Sequence, residues 1–277
     1  MKKIGFIDYY LDEWHANTYP GMIQEASKGE MAVCYAYGKI DSPTGISNRA
    51  WGEKYDITVL NTIKEVIEKS DYLVVLSPDH PHMHEELCAL PLKSRKRVYI
   101  DKTFAPDRES AKRIFAMAEA GETSFYSSSA LFFADELKAV QKEGIKVINS
   151  WGPGTYDMYS IHQLEPIVSL MGYDARRVMF LGDEQFPSML VEFDGGRRVQ
   201  IANFPMGAPF IMSIGYMDNA TKQITLESDY FSNFIDALIE FFRTGNIPVP
   251  HEETLAVISI RAAGIRAMKT PYQWVEI

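Results

Sequence analysis

Residues 70–104 read SDYLVVLSPDHPHMHEELCALPLKSRKRVYIDKTF, and their order of apolar and polar runs decides the fold. Tyr72-Leu73-Val74-Val75-Leu76 is a short apolar run, β-branched at its centre, that stops at Ser77-Pro78-Asp79. A run that short, apolar on both faces, suits a strand buried in a parallel sheet. From His82 to Leu92, acids lie on one side and Leu87, Cys88 and Leu90 on the other, which predicts a covering helix. Lys93-Ser94-Arg95-Lys96 is a polar turn, and Val98-Tyr99-Ile100 is the next buried strand, running directly into Asp101-Lys102-Thr103. Strand, helix and strand make a βαβ crossover, and open α/β sheets take ligands at the carboxyl ends of their strands. Ser77 to His84 and Asp101-Lys102 both fall at such ends, so the working site is expected there.

Upstream, Ile4 to Ile7 and Met31 to Tyr37 read as strands, Met22 to Ser27 as a helix, and Gly38 to Gly52 as a loop. Tyr55 to Leu60 is a third short strand, and Ile63, Val66 and Ile67 mark a helix. Downstream, Arg108 to Ala120 is helical, with Asp107 as N-cap and Gly121 as stop, and Phe125-Tyr126 begins another strand. This alternation predicts an α/β fold: an N-terminal Rossmann-like doubly wound parallel sheet over residues 1–125. The texture then changes. Ser160 to Met171 is a helix, and strands follow at 178–181, 189–193 and 199–204, the last two joined at Asp194-Gly195-Gly196. Val199, Ile201 and Asn203 alternate with Gln200, Ala202 and Phe204, as in a sheet exposed on one side. Helices over 230–243 and 252–269 finish a C-terminal α+β open-sheet domain, residues 126–277, for substrate and oligomerisation.

A net charge of −9 argues against nucleic acid and anionic membrane, which need a basic footprint. Cys34 and Cys88 lie in apolar segments and read as buried thiols, not a disulfide framework. Asp8 ends the first apolar run too early for a signal peptide, and nothing approaches the ~20 apolar residues of a membrane span, so a cytoplasmic location is expected.

The pattern resembles the glucose–fructose oxidoreductase and inositol dehydrogenase family, Gfo/Idh/MocA, over nearly the whole chain. Ser77-Pro78-Asp79 with His82 or His84 resembles its T-P-N-x-x-H, and Asp101-Lys102-Thr103 its E-K-P, whose lysine lies beside the substrate. Tyr126-Ser127 to Phe133 takes the place of G-F-x-x-R-F. His162-Gln163-Leu164-Glu165 to Gly172 resembles the H-x-x-D helix ending in W-x-x-G, and Leu190 to Gly196 the L-x-F-x-x-G hairpin. The resemblance implies hydride transfer between NAD or NADP and a sugar or polyol. It implies catalytic roles for Lys102, His162 and Asp157, and a cofactor site at Asp8, Tyr10, Tyr35, Ser77, Pro78, His82 and Asp101, with no metal. Lys102 and His162 are expected to line one cleft between the two domains.

The departures bear on function. A dinucleotide turn uses glycines so that backbone N–H groups approach the pyrophosphate at a helix N-terminus. Here it reads Ile7-Asp8-Tyr9-Tyr10-Leu11-Asp12-Glu13, glycine-free and acidic. Like charges about 4 Å apart repel by ~4 kcal/mol at an effective dielectric of about 20. The second strand ends Cys34-Tyr35-Ala36-Tyr37 without an acid for the ribose, Leu131-Phe132-Phe133 replaces the family's arginine, and Asp157 is one place off register. The expectation is a kept scaffold with a lost or rebuilt cofactor grip.

Each residue also has a bland reading. Lys102 is otherwise a solvated lysine, His162 a satisfied core histidine, and Asp8, Tyr10, Asp12 and Trp14 either a solvated loop or a carbohydrate surface. His80, His82 and His84 face one way only in extended backbone, and helix from Pro81 onward scatters them, so no metal is expected. Three functions stay open: an oxidoreductase on a sugar or polyol with a remodelled cofactor site, a redox-inactive acid–base enzyme on the same scaffold, or a non-catalytic sugar sensor. A homodimer or larger assembly through the open sheet face is expected.

Overall fold

The computed structural model describes residues 1–183 and 185–277. It contains two compact units, Met1–Ser128 with Phe234–Pro250, and Ser129–Asn233 with His251–Ile277.

The first unit holds a six-stranded sheet built from β1 (Lys2–Asp8), β2 (Met31–Gly38), β3 (Thr58–Val59), β4 (Tyr72–Val75), β5 (Val98–Asp101) and β6 (Phe125–Ser128). The order is β3-β2-β1-β4-β5-β6 and every pairing is parallel. Chain order reverses between β1 and β4, which puts the ligand-binding crevice of such sheets at the carboxyl ends of those strands. The connecting helices are α1 (Trp14–Ala26), α2 (Asn48–Tyr55), α3 (Ile63–Lys69), α4 (His84–Cys88) and α5 (Arg108–Ala120). Helix α1 starts eight residues before the predicted helix, because Glu13 caps it, and carries Pro20 inside. Helix α2 begins inside the expected loop and runs past its end at Gly52 to Tyr55, the expected start of the third strand, because the Ser47 hydroxyl caps it by accepting from Ala50 N at 3.2 Å. The covering helix expected over 82–92 is broken into 3-10 turns at Pro81–Met83 and Pro91–Lys93 around the short α4. Both turns begin on a proline, which lacks the N–H that a continuing helix needs.

The second unit holds α6 (Asp135–Lys138), β7 (Ile145–Pro153), α7 (Tyr156–Met171), β8 (Ala175–Phe180), β9 (Ser188–Phe193), β10 (Arg197–Phe204), β11 (Ile211–Tyr216) and β12 (Thr221–Thr225). Helices α8 (Tyr230–Thr244) and α9 (His251–Ala267) and strand β13 (Trp274–Glu276) complete the chain. The seven-stranded sheet runs β12-β11-β7-β10-β9-β8-β13, antiparallel except where β7 meets β10. Helices α7 and α9 pack together over one face. Val199 and Ile201 (0% exposed) and Phe193 (1%) lie on that covered side, so the apolar alternation is consumed within the chain. The opposite face presents Arg198, Gln200 and an aromatic group, with the rings of Trp151 and Phe186 5.9 and 6.0 Å from Phe204. Strand β13, unanticipated, joins the edge by pairing with β8, where the Arg177 guanidinium lies 4.3 Å from the Trp274 ring centre.

The two units do not follow a single cut between residues 125 and 126. Helix α8 presents Phe234, Leu238, Phe241 and Phe242 as a buried stripe at helical spacing. Phe234 packs on Tyr19 and Tyr99, Phe241 on Tyr126, and Phe242 stacks on Tyr72 at 4.8 Å, so this part of the helix belongs to the first unit. Among the described residues, no helix is long and apolar enough to cross a membrane.

Gly5 in β1 sets how closely α3 approaches the sheet, since a Cβ there would fall 2.4 Å from both Val66 Cγ1 and Ser70 Oγ. Gly5→Ala is expected to cost about 1–3 kcal/mol through overpacking. Urea unfolding measures this as a lower midpoint at unchanged slope; an unchanged midpoint would contradict the packing.

Candidate functional site

The carboxyl edge of the parallel sheet gathers acids. Strands β1 and β5 end in Asp8 and Asp101, each 1% exposed. Asp8 Oδ1 accepts from Tyr9 N at 2.6 Å, while its Oδ2 has no hydrogen-bond partner among the described residues. Asp101 Oδ1 lies 2.9 Å from the Tyr99 hydroxyl, which is also 2.7 Å from Ser128 O. Asp101 Oδ2 is likewise without a hydrogen bond, with His15 Nδ1 3.5 Å away. Glu13, the N-cap of α1, accepts from His15 N at 2.8 Å and from Ala16 N, and its Oε2 is 3.1 Å from His15 Nδ1. Carboxylates from two elements thus meet on one imidazole.

Electrostatics follow from this crowding. Burial first, then the Glu13 carboxylate, raises Asp8 well above the usual carboxylate range, because a desolvated charge beside another is costly. Burial opposes the charged form of His15, but the Asp101 and Glu13 carboxylates outweigh it, so His15 is raised above its ordinary value; Lys102 works the other way. Half-buried Lys102 follows Asp101 directly.

The β1–α1 turn is closed by its own side chains. Asn48 Oδ1 accepts from Leu11 N at 3.0 Å, and Nδ2 donates to Gly38 O and Ile40 O at 3.1 and 2.7 Å. Gly38 is required for this, since a Cβ there would lie 2.4 Å from Asn48 Oδ1. Asp12 Oδ2 accepts from Ile46 N at 2.9 Å, fastening the following loop across the turn.

After β4, Ser77 and Pro78 are buried, and Ser77 Oγ donates to His80 O at 3.2 Å. The His80 ring lies 5.1 Å from Tyr9 and 5.7 Å from Tyr10. His82 is exposed, whereas His84 is fully buried, its ring nitrogens 2.8 Å from Leu76 O and 3.0 Å from Phe104 O. Burial pushes the His84 imidazole down, although both carbonyls favour N–H. His84, rather than His82, braces the end of β4 to the segment carrying Lys102. Tyr35 stands apart from this group: its hydroxyl meets Lys3 Nζ at 3.3 Å near the amino end of β1.

In the second unit, the half-buried His162 ring lies 5.3 Å from Tyr159 and 6.0 Å from Phe210. Asp157 does not share its face: five residues of helix separate them by about 140°. The Asp157 carboxylate is exposed and ion-paired to Arg261, whose Nε also donates to Asp157 O at 3.0 Å. Glu165 accepts from Ser129 N at 2.6 Å, and Gln163 Oε1 accepts from the Ser150 hydroxyl at 2.7 Å, so both serve packing.

No protein-family model matches the chain, and no curated protein matches it in sequence. Solved structures do. Scyllo-inositol dehydrogenase from Lactobacillus casei, solved with NAD(H) and scyllo-inositol, superposes with a TM-score of 0.80 at 13% identity, covering 99% of this chain and 98% of that one. A probable dehydrogenase from Thermotoga maritima gives 0.79 at 13% identity over 99% and 98%. GenD2 from gentamicin A biosynthesis, in complex with NAD, gives 0.77 at 14% identity over 100% and 97%. The chain shares the fold of these dehydrogenases. The placement of His15 on its acid-lined edge emerges only from the structure, with a Glu two residues before a His at a helix start as the available signal; of the two histidines that the sequence left open after β4, His84 is the buried one.

Because Asp8 is raised in the folded chain, the fold binds more protons than the unfolded chain between the ordinary and raised values. Stability from this group therefore falls as pH rises across that window. Asp8→Asn is expected to raise the thermal midpoint at about pH 8, with the gain shrinking toward about pH 4, near the ordinary carboxylate value. A gain equal at both ends would contradict the buried-acid account.

Proposed function

We propose that this chain is an oxidoreductase-type enzyme of Gfo/Idh/MocA kind that acts on a neutral sugar or polyol, with the dinucleotide turn rebuilt. The observation that carries the reading is Lys102, half-buried beside Asp101 at the carboxyl edge of a dehydrogenase-type sheet. In this reading Lys102 Nζ stabilises or protonates a substrate oxygen, and acids near it suit hydroxyl donors. His162 is the second proton-transfer residue by position in the motif. Asp157 is not carried into the mechanism, since Arg261 already holds its carboxylate.

The residues of the β1–α1 turn do not fit a pyrophosphate in the usual orientation. A helix N-terminus binds phosphate through free N–H groups. Here Glu13 takes those of His15 and Ala16, Asn48 takes that of Leu11, and Asp8 takes that of Tyr9. The same observation favours a second reading, acid–base chemistry without a dinucleotide. The aromatic group of exposed Trp151 and Phe186 around half-buried Phe204 supports pairing of that sheet face with a second copy.

Calorimetric titration of cofactor-free protein tests the cofactor side. Expected dissociation constants for NAD(H) and NADP(H) are about 1 mM or weaker, since losing charge-assisted hydrogen bonds removes ~1.5–3 kcal/mol each. A constant below about 10 μM would defeat the rebuilt-turn reading.

A further inference from the structure

We propose that Glu13, His15 and Asp101 form a proton-transfer centre at the carboxyl edge of the parallel sheet, in which His15 exchanges a proton with a neutral hydroxyl substrate. The inference rests on the reading that this site takes a sugar or polyol, and it names a residue outside the motifs that suggested that reading.

Three observations carry it. The first is how the imidazole is held. Glu13 Oε2 and Asp101 Oδ2 lie 3.1 and 3.5 Å from the same nitrogen, Nδ1, and their side chains are only 9% and 1% exposed. Carboxylates on Nδ1 fix the ring's tautomer and orientation and support the cation formed when Nε2 takes a proton. The second is the free side of the ring: among the described residues Nε2 makes no hydrogen bond, and the side chain keeps 12% of its surface open. The third is Asp101 Oδ2, a buried oxygen without a hydrogen bond, which is costly unless a charge or proton is delivered to it. A charged His15 delivers that.

The surroundings are consistent with a ring that changes charge. From β5, Asp101 favours and Lys102 opposes the imidazolium; from the α1 cap, Glu13 favours it. Asp8, on β1, feels both Glu13 and Asp101 and is pushed toward its neutral form. Glu13 and Asp101 are thereby balanced by His15 and Lys102. The rings of Trp14 and Tyr19, 5.2 and 5.1 Å away, flank the imidazole without competing for its protons. In the forward direction a substrate O–H passes its proton to neutral Nε2, leaving an alkoxide and an imidazolium; the reverse step returns it. Only a proton moves.

The test has two arms on the full-length protein. The first follows the His15 ring nitrogens by NMR against pH in the wild type, Glu13→Gln and Asp101→Asn. His15 is expected to titrate above the ordinary imidazole range and to shift downward in each variant; either variant alone suffices if the other fails to fold. A His15 titration unmoved by loss of a carboxylate overturns the proposal. The second arm repeats the His15 titration with scyllo-inositol present, with binding itself followed by calorimetry. A His15 titration that moves when the ligand binds is the expected result; a titration unmoved at saturating scyllo-inositol overturns the proposal. Absence of scyllo-inositol binding would count against the substrate reading alone, and the first arm, which needs no ligand, would still decide the centre.

Discussion

The chain supplies its own anion at the amino end of helix α1, and the carboxyl edge of the parallel sheet is arranged around that fact. Glu13 accepts from His15 N and Ala16 N, the donors that this kind of helix end otherwise offers to a ligand. A carboxylate in that position stabilises the helix by up to about 2 kcal/mol. A second anion arriving there meets Glu13 at close range and loses ~4 kcal/mol at 4 Å and an effective dielectric of about 20. The buried Asp101 deepens that repulsion. Acids so placed need compensation, and the structure provides it through His15, Lys102 and protonation of Asp8.

Fastenings elsewhere hold this edge in shape. Asn48 ties the β1–α1 turn to the end of β2 with three hydrogen bonds from one amide side chain. His84 joins Leu76 O and Phe104 O, so the ends of β4 and β5 are set by one buried ring. Tyr99 reaches from β5 to Asp101 and to Ser128 O, and is itself packed by Phe234 of α8. The acids at the edge are therefore positioned by buried groups that have little freedom to relax, and their charges cannot simply turn toward water.

Much of the scaffold was legible in the sequence, because buried parallel strands are short apolar runs and turn residues punctuate them. The strands at 72–75 and 98–101 and helix α5 with its Asp107 cap follow that reading closely. What escaped depended on contacts distant in sequence or on weak local signals. Helix α1 begins in Asp-Glu-Trp-His, which has little apolar periodicity, and its cap is a Glu rather than one of the preferred Ser, Thr, Asp or Asn. The alternation in β10 shows that one face is buried, yet not that α7 and α9 cover it. The allegiance of α8 is set by Tyr19, Tyr72, Tyr99 and Tyr126, over a hundred residues away in sequence. At the site, Asp101 and Lys102 were placed by the strand that precedes them. His15 was not, and the choice between His82 and His84 stayed open, since their roles come from oxygens on other strands and turns.

The most direct measurement of the central claim, that Glu13 fills the anion position of the parallel sheet, is a crystal structure of the protein grown with ADP and scyllo-inositol together. The account predicts that the Glu13 carboxylate stays on His15 N and Ala16 N, that no phosphate density lies along residues 8–13, and that any inositol density sits beside Asp101 and Lys102. A diphosphate hydrogen-bonded to His15 N or Ala16 N, with the Glu13 side chain displaced, would contradict it.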